Sequence, residues 1–92
     1  MSHTIQHKKK LLNRVRRIRG QVDAVAKALE SEQDCYGVLQ TLAACRGAMN
    51  GLMYEILDGH LRHHVHVPGR KLTAEQERAT DELLDVIRSY LK

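Results

Sequence analysis

The residues best suited to chemistry in this chain are metal donors and thiols: His3, Cys35, Cys45 and the run His60-Leu-Arg-His63-His64-Val-His66. His60 and His64 stand four apart, so on a helix they share a face and can chelate one ion. A solvated polar face is the alternative for such a pair. His63 and His66 point elsewhere and read as surface residues or a secondary site. Cys45 falls on an apolar seam and reads as a small core residue. The N-terminus offers a further donor set if Met1 is removed before the small Ser2, because an α-amine beside His3 binds borderline metals well. A frayed terminus is the bland alternative.

The second group is basic. Residues 1–22 hold no acid and seven bases, Lys8, Lys9, Lys10, Arg14, Arg16, Arg17 and Arg19. The rest of the chain carries all eleven acids against eight bases. Positive charge gathered at one end is the footprint of a polyanion partner, most simply nucleic acid. Lys10, Arg14 and Arg17 repeat at helical spacing and form a stripe of about 10 Å. Arg16, Arg19 and Lys9 stand beside it.

Helices must position these groups. The chain has 92 residues, one proline, no Phe and no Trp. Its Leu, Val, Ala, Ile and Met suit helix-on-helix packing, and the fold class expected is all-α with three helices in one domain, 1–92. The first helix runs from about His7 to Leu29, with Leu11, Val15, Ile18, Val22, Val25 and Leu29 alternating four and three apart. Asp34 is a good N-cap for a second helix reaching about His64. Val38, Leu42, Cys45, Met49, Leu52 and Ile56 form its seam, widened by Leu39, Met53, Leu57, His60 and Leu61. Thr73 with Gln76 makes a capping box for a third helix, whose buried side reads as Ala79, Leu83, Ile87 and Tyr90. A core this thin for 92 residues favours burial within an oligomer.

Spacing also constrains the donors. If the second helix is continuous, Cys35 and His60 are separated by about 37 Å of helix, and one chain cannot join them. Two antiparallel copies can. Pairing Cys35 with the partner's His60 sets the crossing between residues 47 and 48, and pairing it with the partner's His64 sets it between 49 and 50. Gly47, Ala48 and Gly51 are small enough for close approach there. The expectation is an antiparallel homodimer with two shared sites.

Other classes fit poorly. No apolar stretch reaches the roughly 20 residues of a membrane span. The N-terminus lacks a signal-peptide core, and Cys35 and Cys45 on one helix would lie about 15 Å apart, too far to bridge. A cytoplasmic protein with reduced thiols is expected. An enzyme using Cys35 with His60 would lack an oxyanion device and the bulk for a pocket, so no catalytic residue is assigned. A histidine-rich metal buffer would leave the basic helix without a role.

Over essentially its full length the chain resembles the CsoR/RcnR family of bacterial repressors. The resemblance rests on Arg14-Val-Arg-Arg-Ile-Arg-Gly-Gln21, Cys35, Ala43-Ala-Cys-Arg-Gly-Ala48, Asn50-Gly-Leu-Met53 and His60. It implies three-helix protomers in antiparallel dimers with a four-helix-bundle core, paired into tetramers. It also implies binding to operator double-stranded DNA without a helix-turn-helix, and release when an effector binds. His3, Cys35, His60 and His64 resemble the ligand set of the nickel/cobalt branch, as does the opening Met-Ser-His-Thr-Ile. The copper branch places a second cysteine where His64 stands, and Cu(I) prefers sulfur. His63 stands where the nickel/cobalt branch carries an acid, which keeps Zn(II) among the candidates. The formaldehyde branch shares Cys35 and His60 and a similar first helix. The resemblance therefore implies a Ni(II)- or Co(II)-responsive repressor, with a formaldehyde-responsive repressor acting through Cys35 as the alternative.

Overall fold

A computed structural model of the chain describes residues 5–65 and 70–91. Helix α1 spans Ile5–Glu30, α2 spans Cys35–His60, and α3 spans Ala74–Tyr90. Among the described residues there is no strand. A five-residue π-helical turn, Leu61–Val65, continues α2. The α-helix therefore ends at His60, short of the expected His64, and the wider π turn carries the chain onward. His3 and the segment 66–69, with His66, lie outside the described residues.

Local chemistry sets the boundaries. Helix α1 ends in a Schellman motif: Gln33 N–H donates to the Ala28 carbonyl at 3.0 Å, and Glu32 N–H donates to the Leu29 carbonyl at 3.2 Å. Glu32 occupies the left-handed position of that motif, with φ 56°. Asp34 caps α2, its carboxylate accepting from Gly37 N–H at 2.8 Å. At α3 the capping box closes in both directions. Thr73 Oγ1 accepts from Gln76 N–H at 3.1 Å, and Gln76 Oε1 accepts from Thr73 N–H at 3.0 Å.

Helices α1 and α2 pack side by side, and α3 lies against the C-terminal part of α2. Among the described residues, the buried apolar side chains are Leu11, Ile18, Ala28, Cys45 and Leu84. On α1 the covered stripe is thus Leu11, Arg14, Ile18, Gln21, Val25 and Ala28. It is offset from the expected seam, because Val15, Val22 and Leu29 are exposed. On α3 it is Thr80, Leu84, Ile87 and Leu91 that face inward. The expected side is corrected there too: Ala79, Leu83 and Tyr90 are exposed, and Ile87 alone of that set is partly covered. Thr80 is tolerated inside because its hydroxyl donates to the Gln76 carbonyl at 2.8 Å. Each helix carries two apolar stripes, and the single chain covers one of them.

The outline is elongated, 54 × 28 × 14 Å, with a radius of gyration of 17.0 Å. A compact chain of this length would measure about 12 Å. No helix of the described residues is long and apolar enough to cross a membrane.

Candidate effector site and basic helix

Continuity of α2 decides the donor geometry. Cys35 is its first residue and His60 its last, so within one chain they lie at opposite ends of a 26-residue helix. Cys35 is exposed and Cys45 is buried. The latter agrees with its reading as a core residue. Among the described residues no cluster of three or more His, Cys, Asp or Glu is poised to hold a metal. The donor set fits a borderline metal by its chemistry, one thiolate with imidazoles, yet a single chain cannot assemble it.

A symmetry in α2 bears on this. Beyond Tyr36 in its first turn, the large apolar residues that α2 leaves exposed are Leu39, Leu42, Met49, Met53 and Ile56. They lie on one stripe at alternating three- and four-residue steps, with Arg46 completing it and His60 extending it. Leu39 and Ile56 straddle a midpoint between residues 47 and 48. Leu42 and Met53 straddle the same midpoint, and so do Cys35 and His60. An open apolar groove on this stripe is walled by Met53, Ile56, Leu57 and His60. A Cβ built on Gly47, next to the midpoint, meets nothing within 4 Å in the single chain.

The histidine run falls on the junction between α2 and the π turn. His60 is exposed, His63 is exposed on the turn, and His64 belongs to the turn, its side chain outside the described part. Arg62 sits between them. Its Nε donates to Asp58 Oδ1 and its Nη2 to Asp81 Oδ1, each at 2.5 Å. The hydrogen bond to Asp81 first, and that to Asp58 second, make the Arg62 guanidinium hold its proton even more tightly than usual, against a small opposing effect of burial. One side chain therefore ties the histidine-bearing turn to both α2 and α3. A second tie stands further back on α2, where the Arg88 guanidinium lies 4.4 Å from the centre of the Tyr54 ring.

The basic residues of α1 are presented unequally. Lys8, Lys9, Lys10, Arg16, Arg17 and Arg19 are exposed, with Arg16 Nη1 donating to Asn13 Oδ1 at 3.0 Å. Arg14 lies on the covered stripe and reaches α2, its Nη2 standing 4.0 Å from Glu55 Oε1. Sequence reasoning missed Arg62, Asp58, Asp81 and Glu55. Asp58 and Arg62 do stand four apart, a signal that was available. Asp81 is nineteen residues from Arg62 and Glu55 is on another helix from Arg14, so no spacing rule reaches them.

Comparison with known proteins fits this arrangement of a basic helix beside a thiol and histidines. The sequence profile of the family described as metal-sensitive transcriptional repressors matches residues 7–89. An uncharacterized protein of the bioA 5′ region of Serratia marcescens is 49% identical over the whole of both chains. A transcriptional repressor RcnR homolog of Escherichia coli O139:H28 is 47% identical, again over the whole of both. Among solved structures, a glutamate-to-histidine variant of the formaldehyde-responsive regulator FrmR from Salmonella enterica serovar Typhimurium is similar. It shares 43% identity and a TM-score of 0.69, over 97% of this chain and 99% of that one. The matched family is one of transcriptional repressors and not of enzymes, and the chain belongs to it, the CsoR/RcnR family of metal-sensitive transcriptional repressors.

Proposed function

We propose that this repressor responds to Ni(II) or Co(II). It binds operator DNA through α1, with Lys10, Arg14 and Arg17 as principal phosphate contacts and Arg16, Arg19 and Lys9 beside them. Metal binds Cys35 of one protomer together with His60 and His64 of an antiparallel partner, and His3 completes the set. The thiolate and imidazoles suit Ni(II) and Co(II), which accept mixed nitrogen and sulfur donors and more than four ligands.

The observation that carries this reading is the shared midpoint on α2. The uncovered apolar stripe and the Cys35–His60 pair are symmetric about one point. An antiparallel second copy that buries Leu39 against the partner's Ile56 also brings Cys35 to the partner's His60. One arrangement thus covers exposed apolar surface and unites donors that the single chain separates. Pairing of such dimers into a homotetramer is part of the same reading and is consistent with the family. Reduced thiols require a reducing compartment, and the cytoplasm, where operator DNA resides, supplies it.

A second reading has its own support. Cys35 is exposed, and the similar solved structure is a formaldehyde-responsive regulator. In that case the Cys35 thiol adds to the aldehyde carbon to give an S–CH2–OH adduct, and a nearby amine displaces the hydroxyl as water to leave a methylene crosslink. One experiment separates the two: titrate protein onto operator DNA, then repeat with Ni(II), Co(II), Zn(II), Cu(I) and formaldehyde. Release by Ni(II) or Co(II) supports the first reading. Release by formaldehyde and by neither metal supports the second.

A further inference from the structure

Arg14 differs from every other base in the N-terminal run. The others are exposed, whereas the Arg14 side chain is 36% exposed and the Glu55 side chain 33%. The cause is its position on the stripe that packs α1 against α2. The guanidinium lies in a slot on α2. Its Nη1 comes within 3.0 Å of where a Cβ on Gly51 would stand, and its Nη2 within 4.0 Å of Glu55 Oε1. Gly51 and Glu55 are four apart, so they share the helix face that receives Arg14. Gly51, expected at the crossing of two copies, thus faces α1 of its own chain: its missing side chain makes room for the guanidinium, and Glu55 supplies the charge.

An ion pair at this distance and exposure is weak and exchangeable. A DNA phosphate approaching Arg14 carries the same charge as Glu55 and seeks the same donors. We propose that Glu55 is a built-in competitor for Arg14, an internal substitute for phosphate that lowers the DNA affinity of the basic helix. This inference rests on the reading of α1 as the DNA-contacting helix. On that reading Glu55 sets how far Arg14 is available, and the other bases, for which the described residues show no ion pair with α2, form the constant part of the surface.

The test is a double-mutant cycle read by fluorescence anisotropy on a labelled random-sequence duplex, over a salt series. Glu55→Gln keeps the shape and removes the charge. Binding should tighten about two- to fivefold per protomer in contact with the duplex. In an Arg14→Gln background the same change should have no effect. Gly51→Ala is the charge-neutral counterpart, since its methyl group displaces the flexible end of Arg14 from the slot. It should also tighten binding only while Arg14 is present. Helicity and sedimentation of each variant check that the fold is kept, and Glu55→Gln carries the test alone if Gly51→Ala disturbs it. Equal tightening by Glu55→Gln in both backgrounds would mean general charge repulsion and overturn the proposal. Weaker or unchanged binding by Glu55→Gln, with Arg14→Gln impaired, would overturn it while leaving the DNA-contacting reading intact. Wild-type affinity and salt slope in Arg14→Gln would instead remove Arg14 from the DNA surface, and the proposal with it.

Discussion

Arg62 Nη2 donates to Asp81 Oδ1 at 2.5 Å, across nineteen residues of sequence, and this contact fastens α3 to the turn that follows His60. Asp58 holds the same guanidinium from the α2 side. The Arg62 side chain is 25% exposed and that of Asp81 62%. Water therefore screens the outer half of the pair more than the inner half. Arg62→Ala should lower unfolding stability by about 1 kcal/mol, and Asp81→Asn by about half that. Urea unfolding at low and high salt checks this. The loss in Asp81→Asn should shrink as salt rises, and a loss independent of salt would point to packing as the cause.

Glu32 offers a change in the opposite direction. It holds a left-handed backbone where glycine is the usual occupant of a Schellman motif. Among the described residues its side chain makes no hydrogen bond or ion pair that the replacement would give up. Glu32→Gly should gain up to about 1 kcal/mol, less the extra entropy that glycine brings to the unfolded chain. Thermal unfolding followed by circular dichroism measures the gain, and destabilisation would reveal a contact of the carboxylate that matters more than its backbone.

Leu84 and Leu83 make an internal control for the inward face of α3. Leu84 is 1% exposed and Leu83 47%. Leu84→Ala should cost about 2–5 kcal/mol, the range for deleting a buried leucine. Leu83→Ala should cost well under half as much in the isolated chain. Comparable losses at the two positions would mean that a partner covers Leu83 in solution.

The shared effector site predicts complementation. Cys35→Ala and His60→Ala proteins should each lose thiolate–metal absorbance or bind metal weakly. Unfolded together and refolded, they should recover one intact site per mixed dimer. A mixture no better than the sum of its parts would show that the donors do not come from two chains.

These contrasts show how far the sequence could be read. Helix number, the Asp34 and Thr73 caps and the burial of Cys45 follow from local rules, because caps act within one turn and a 3.6-residue period marks an apolar stripe. Which stripe packs inside the chain does not follow. Val15 and Val22 are as apolar as Ile18, yet they are 43% and 50% exposed. Arg14 and Gln21 take covered positions instead, and Gln21 Oε1 is buried with no hydrogen-bond partner among the described contacts. Hydrophobicity fixes that a side chain leaves water, not whether its neighbour is in the same chain. The types and spacing of Cys35, His60 and His64 nominated the donors in the same way, and only the continuity of α2 excluded their union within one protomer. The π turn had no local signature at all.

The 14 Å thickness of the molecule is little more than one helix with its side chains. A slab so thin has water on both broad sides and almost no interior of its own. On the proposed antiparallel pairing its interior is created when slabs stack, which puts folding under mass action. Dilution should lower the melting temperature, and concentration should raise it. The number of copies in the cell then governs two things at once: how much operator is occupied, and how much of the repressor persists as a folded body rather than as a substrate for proteolysis.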